Sequence, residues 1–298
     1  MAEGAGRPES DGLTIRRISA RAMHVLSEAL GTLSARSDAA VTTTDEAAGW
    51  RSAVVAAGAQ PQETSGAAQG SAPVVDSDAA WDELVRAGLA TARGTVDPRW
   101  AQVLRGAAAA DHTYRVVARQ GELGTATSIS LMPAAGLGVS VTERRRLQVT
   151  DAEVVVAAVE DAVEIALFRA KDLWGAVRRV LPQVEQVVAD PAPTLPRDEV
   201  SVAEVDLAAS ETRIPEMLHE ALAGAQVEVS LGMLVLLEDD RSVSAQRHWA
   251  LTDQGLLEVR VRPTDVEVVR VEPGAIGHEL VWITTGALQV QSEGRRSA

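Results

Sequence analysis

Thr150-Asp151-Ala152-Glu153-Val154-Val155 returns as Thr264-Asp265-Val266-Glu267-Val268-Val269, with five of six positions identical and no gap. The spacing is 114 residues, and at that offset Arg99 also meets Arg213, Leu104 meets Leu218, Ser130 meets Ser244 and Arg146 meets Arg260. Solenoid repeats run roughly 20–50 residues. A period this long reads instead as two copies of one supersecondary unit related by a pseudo-two-fold. The second occurrence informs the first. Val266 to Glu272 alternates with a period of two and stops at Pro273, as a strand does. The matching Ala152 to Val159 therefore reads as a strand. Its competing reading is a Thr-x-x-Glu capping box opening a helix.

Outward from that block, both copies show the same order. In the first, Ser77 or Asp78 can cap a helix carrying Trp81, Leu84, Val85 and Leu89, and Asp97-Pro98 opens another with Trp100, Val103 and Leu104 buried. Strands follow at Tyr114–Ala118, Thr125–Met132 and Leu137–Thr142, and Asp161 to Val180 reads as a long helix. In the second, Ile214, Met217, Leu218 and Leu222 mark a helix. Strands are expected at Val227–Leu237, Ser244–Leu251 and Leu256–Val261, with a shorter helix from Pro273 through Ile283. The expected class is α+β: a quasi-two-fold antiparallel sheet built from two αββββα repeats, flanked by helical bundles. Two such meanders can join edge to edge, which removes two exposed edges.

The expected division is residues 1–77, 78–190 and 191–298, with 78–285 as one globular unit. In the first segment Ser19 caps a helix striped by Ala22, Val25, Leu26, Ala29, Leu30 and Leu33. Residues 58–73 are Gly, Gln, Ser, Pro and Thr with almost nothing large and apolar, which reads as a linker.

Composition narrows the function classes. Hydrophobic residues make up 46% of 298, but Tyr114 and Phe168 are the only residues of their kinds, so the core is aliphatic. A net charge of −14 argues against a nucleic-acid partner, whose phosphates need a basic face. The densest basic cluster, Arg144-Arg145-Arg146, reads as a solvated strand or turn. With no cysteine there are no disulfides, thiol chemistry or Cys-based zinc sites. No stretch approaches 18 uninterrupted apolar residues and Met1 to Asp11 lacks a basic-then-apolar leader, so a cytoplasmic protein without membrane insertion is expected.

Catalytic constellations are missing. His24, His112, His219, His248 and His278 do not share metal-ligand spacing. Gly277-His278-Glu279-Leu280 begins like a zinc-protease motif, but Trp282 stands where the second histidine belongs. There is no nucleophile elbow, phosphate-binding loop or dinucleotide fingerprint. Glu238-Asp239-Asp240 reads as a solvated turn. Trp249 to Leu256 is similar to the strand-turn of a winged helix, but an acidic turn precedes it where a basic recognition helix is required. No catalytic residue, cofactor or metal is therefore assigned, and no enzyme is expected.

Leu84-Val85-Arg86-Ala87-Gly88-Leu89, followed by Gly94-Thr95-Val96-Asp97-Pro98-Arg99-Trp100 and then Val103-Leu104, resembles a segment of the EspG family. These are cytosolic specificity chaperones of type VII (ESX) secretion in actinobacteria. The resemblance covers roughly residues 78–285. It implies a quasi-two-fold antiparallel sheet flanked by two helical bundles. It also implies a binding role: keeping a helical secretion substrate, such as a PE–PPE pair or a WXG-type protein, soluble for export. No family contact motif is carried over. From the residues alone, Leu131, Met132 and Leu137 around a strand-connecting loop are the candidate partner surface. Their competing reading is strand ends packed in the core. The alternative function is a soluble binding protein or homodimer with no secretion role.

Residues 58–73 have too few large apolar groups to offset an ordering entropy of about 1–2 kcal/mol per residue. Limited proteolysis should cut there first; early cleavage within 150–181 would refute this reading of the chain.

Overall fold

The computed structural model describes residues 12–31, 77–149, 154–191, 224–237, 242–261 and 266–297. The expected linker at 58–73, the helix around Ile214–Leu222, the turn at Glu238–Asp240, and Leu33, Glu153 and His219 lie outside the described residues.

Among the described residues, alternating side chains build a nine-stranded antiparallel sheet. Its strands are β1 Thr14–Ile18, β4 His112–Gln120, β5 Leu123–Met132, β6 Leu137–Val149, β7 Val154–Arg169, β8 Val227–Leu236, β9 Ser242–Thr252, β10 Gly255–Val261 and β11 Val266–Val271. The spatial order is β1-β7-β6-β5-β4-β8-β9-β10-β11. The meander β4–β7 thus runs outward in one direction, and β8–β11 runs outward in the other. They meet where β4 pairs with β8, from His112 opposite Val235 to Gln120 opposite Val227. A small hairpin, β2 Ala90–Ala92 with β3 Thr95–Val96, stands apart. The helices are α1 Ala20–Leu30, α2 Ser77–Arg86, α3 Pro98–Ala108, α4 Leu173–Val180, the single turn α5 Glu185–Val188, and α6 Ala275–Ser297.

The helices divide between the two faces because the strand period is two. On β7, Val163 and Ile165 join the cluster made by α1, α2 and α3, through Leu26, Leu84 and Leu104 among others. Ala166 and Phe168 have the opposite parity, and Phe168 enters the larger cluster under α4, α5 and α6. That cluster gathers Tyr114, Val116, Leu231, Trp249 and Val269 from β4, β8, β9 and β11. Burial on both faces explains one departure from expectation. Residues 161–169 continue the strand, and only Leu173–Val180 is helical, where a helix over Asp161 to Val180 was read. A strand buried on both sides has a near-continuous apolar run, whose spacing matches a helical face equally well. The second departure is α6, which has 23 residues where a short helix was read.

Local chemistry fixes several element ends. Ser19 accepts from the Ala22 N–H at 3.1 Å to start α1, while its own N–H and hydroxyl donate to Glu83 of α2 at 2.7 and 2.6 Å. Asp97 accepts from the N–H groups of Arg99 and Trp100, opening α3 ahead of Pro98. β1 was not foreseen. It pairs with β7 from Thr14–Leu167 to Ile18–Val163, so residues 14–18 form the outermost strand on that side of the sheet.

Gly138, opposite Leu131 on β6, lies against the ring of Phe168. A Cβ there would collide with that ring and with the Leu131 side chain. Overpacking of this kind costs about 1–3 kcal/mol. Gly138→Ala should lower the unfolding free energy by that amount in urea titrations; an unchanged midpoint would mean that the ring has room to move.

Candidate partner-binding surface

Pro273-Gly274 turns the chain out of β11 into α6, whose first turn closes with the His278 N–H donating to the Gly274 carbonyl at 2.9 Å. Ile276, Leu280, Ile283 and Ala287 recur at helical spacing and are buried against the sheet. Gly277 lets α6 approach α4, since a Cβ there would lie 3.0 Å from Trp174.

Polar groups hold this inner face at both ends. Near the start, the Arg247 guanidinium of β9 donates to Glu279 at 2.6 Å and lies 4.0 Å from Glu258 of β10, which also accepts from Arg260 at 3.0 Å. Both carboxylates are buried, so the arrangement fixes α6 over β9 and β10 by charges that would be costly to separate. Further along, the Tyr114 hydroxyl donates to Thr284 at 3.0 Å, and the His112 Nε2 meets Gln291 at 2.9 Å. These are β4 residues, so α6 crosses the junction between the two meanders. Burial raises the Tyr114 phenol above its ordinary pKa, with the Thr284 bond acting against it, and the ring stays neutral at physiological pH.

The outer face of α6 is different. Val281 is 51% exposed, Trp282 62% and Leu288 39%, with Thr285, Gln289 and Ser292 completing the same stripe. Val290 is exposed at its rim. From Leu280 to Ser292, 13 consecutive residues carry no charge. Four of the ten large apolar side chains exposed among the described residues fall between Val281 and Val290. An exposed, charge-free stripe that includes Val281, Trp282 and Leu288 has the composition of an interface core.

The residues expected from the sequence lie elsewhere. Leu131 is 3% exposed and belongs to the core with Phe168. Met132, its neighbour on β5, points to the opposite face and packs against the α1–α3 cluster. Leu137 pairs with Met132 across β5 and β6 and is half-buried. The three do not form one surface, and Leu131 offers none. The stripe on α6 was missed although its signal is present: a run apolar on both sides of the helix and empty of charge does not need all of that surface for one core.

Chemistry-bearing clusters are sparse. Among the described residues, no group of three or more His, Asp or Glu is placed to hold a metal ion. No described helix is long and apolar enough to cross a membrane. Trp249 to Leu256, the winged-helix-like stretch, is the hairpin between β9 and β10.

His248 lies on the face of β9 opposite Arg247 and is buried. Its pKa is pushed down to about 4, first by burial and then by the Arg247 charge. The folded state thus keeps the ring neutral where the unfolded chain takes a proton near pH 6.5. Its contribution is complete above pH 6.5 and is lost as pH falls toward 4, a span worth about 3 kcal/mol. His248→Gln should flatten that part of a stability-versus-pH curve; an unchanged slope would assign the acid sensitivity to other groups.

No family model matches the chain, and no curated protein sequence matches it. Among solved structures, the fold is similar to that of the type VII secretion system chaperone EspG5 of Mycobacterium tuberculosis, determined in complex with a PE25-PPE41 dimer. The two share 9% sequence identity over 88% of this chain and 93% of that chain, with a TM-score of 0.49.

Proposed function

We propose that this protein is a non-enzymatic adaptor that holds a helical protein partner through the outer face of α6 and keeps it soluble. The observation that carries the reading is the uncharged stripe Val281, Trp282 and Leu288 on a helix fastened to the sheet at both ends. A rigid, pre-placed apolar helix face spares the partner the cost of ordering its receptor. Trp282 is the natural anchor, because tryptophan supplies large buried area with few rotatable bonds.

The finer reading is a cytosolic chaperone of type VII secretion whose substrate is a PE–PPE pair. It is supported by the sequence resemblance over Leu84 to Leu104, which forms the end of α2, the β2–β3 hairpin and most of α3. We also read the molecule as two αββββα repeats, 78–190 and 191–298. The outward run of each meander from the β4–β8 pair supports this, as does the position of Val154 and Val268 on the last strand of each.

Co-expression with PE–PPE pairs encoded beside the gene, followed by affinity purification, tests the reading. A pair should co-purify with the native chain. Trp282→Asp and Leu288→Asp should each weaken the complex by at least about tenfold, a loss of about 1.4 kcal/mol, with the thermal midpoint unchanged. Undiminished capture by both variants would move the docking surface away from α6, and failure of every pair would remove the export role.

A further inference from the structure

The same stripe is complementary to itself, and we infer that in the absence of a protein partner it is covered by the α6 of a second copy, in a weak antiparallel two-fold dimer. The inference stands on the surface of α6 and does not depend on an export role.

Charge is the first argument. Each copy carries −14, so two copies repel wherever their acidic surfaces face one another. Along α6 this opposition is missing, because Leu280 to Ser292 contains neither acid nor base. Register is the second. An antiparallel pair centred on Thr285 places Trp282 of one copy against Leu288 of the other, Val281 against Gln289, and His278 against Ser292. Large meets medium at the flanks, and the short side chain of Thr285 sits at the crossing with Gly286 beside it. Nothing lies within 4 Å of the space above Gly286, so two backbones can come close there. Antiparallel packing also sets the positive N-terminal end of each helix dipole beside the negative C-terminal end of the other. An isologous contact of this kind closes on itself and forms no chains.

Area is the third argument, and it fixes the strength. Val281 to Ser292 spans about 18 Å along a helix about 10 Å wide, a footprint of about 200 Å². Stable complexes bury about 800 Å² per partner. The dimer is therefore weak and reversible, which lets a better-fitting partner displace it from the face both would use.

Sedimentation equilibrium and light scattering on the full chain, from about 5 to about 500 μM, test this. The average mass should rise with concentration from 31.4 kDa toward twice that value. Trp282→Asp should shift the transition at least about tenfold higher in concentration. Thr285→Arg and Thr285→Glu provide a second, fold-neutral probe, since Thr285 is exposed and bonds only to the Val281 carbonyl of its own helix. Each alone should be monomeric, and an equimolar mixture should dimerise again. A native chain that stays at 31.4 kDa throughout, or a dimer indifferent to these substitutions, overturns the inference. Neither result bears on whether PE–PPE pairs are captured.

Discussion

β4 pairs with β8, and that ladder makes one sheet of the two meanders. Nine residue pairs join two meanders that would otherwise each present an open edge. Near one end Arg119 and Glu228 face each other as a forked ion pair, with side chains only 9% and 14% exposed. A slip of one residue would separate that pair and turn Tyr114, Val116 and Ala118 from the core to the other face. Such a pair adds little net stability over an apolar substitute, but a register that leaves either member alone is heavily penalised. It therefore acts mainly as a specificity device for this junction.

The placement of α6 follows from that junction. Its first turns are held by Arg247 on β9, and its later turns by Tyr114 and His112 on β4. Those anchors belong to different meanders, so the helix can lie straight only if the β4–β8 ladder is in register. The polar bonds are spent on the inner face, among apolar neighbours where they are strong. The outer face then leaves Val281, Trp282 and Leu288 exposed on a helix whose backbone is held in place. That exposed face is where we propose a second helix docks.

Much of the sheet is legible in the chain. Pro273 stops β11, Gln120-Gly121-Glu122 turns β4 into β5, and Asp97-Pro98 starts α3, each for a local stereochemical reason. Elsewhere local rules give two answers. Val163, Ile165, Ala166 and Phe168 satisfy a helix and a doubly buried strand alike. Leu131 and Met132 look like one patch in sequence but point to opposite faces of a strand covered on both. β1 was missed because Thr14-Ile15-Arg16-Arg17-Ile18 has no pattern of its own until β7 offers an edge.

The class of the molecule is readable from the chain: acidic, cysteine-free, aliphatic in its core, made of helices and antiparallel strands. These properties follow from composition and from periods of two and 3.6, which act over a few residues. Which apolar residues remain outside depends on packing between distant segments. Val281, Trp282, Ile283 and Leu288 are equivalent to any local rule. Whether each is core or surface depends on where Arg247, Tyr114 and His112, distant in sequence, fasten the helix and so set its rotation about its own axis.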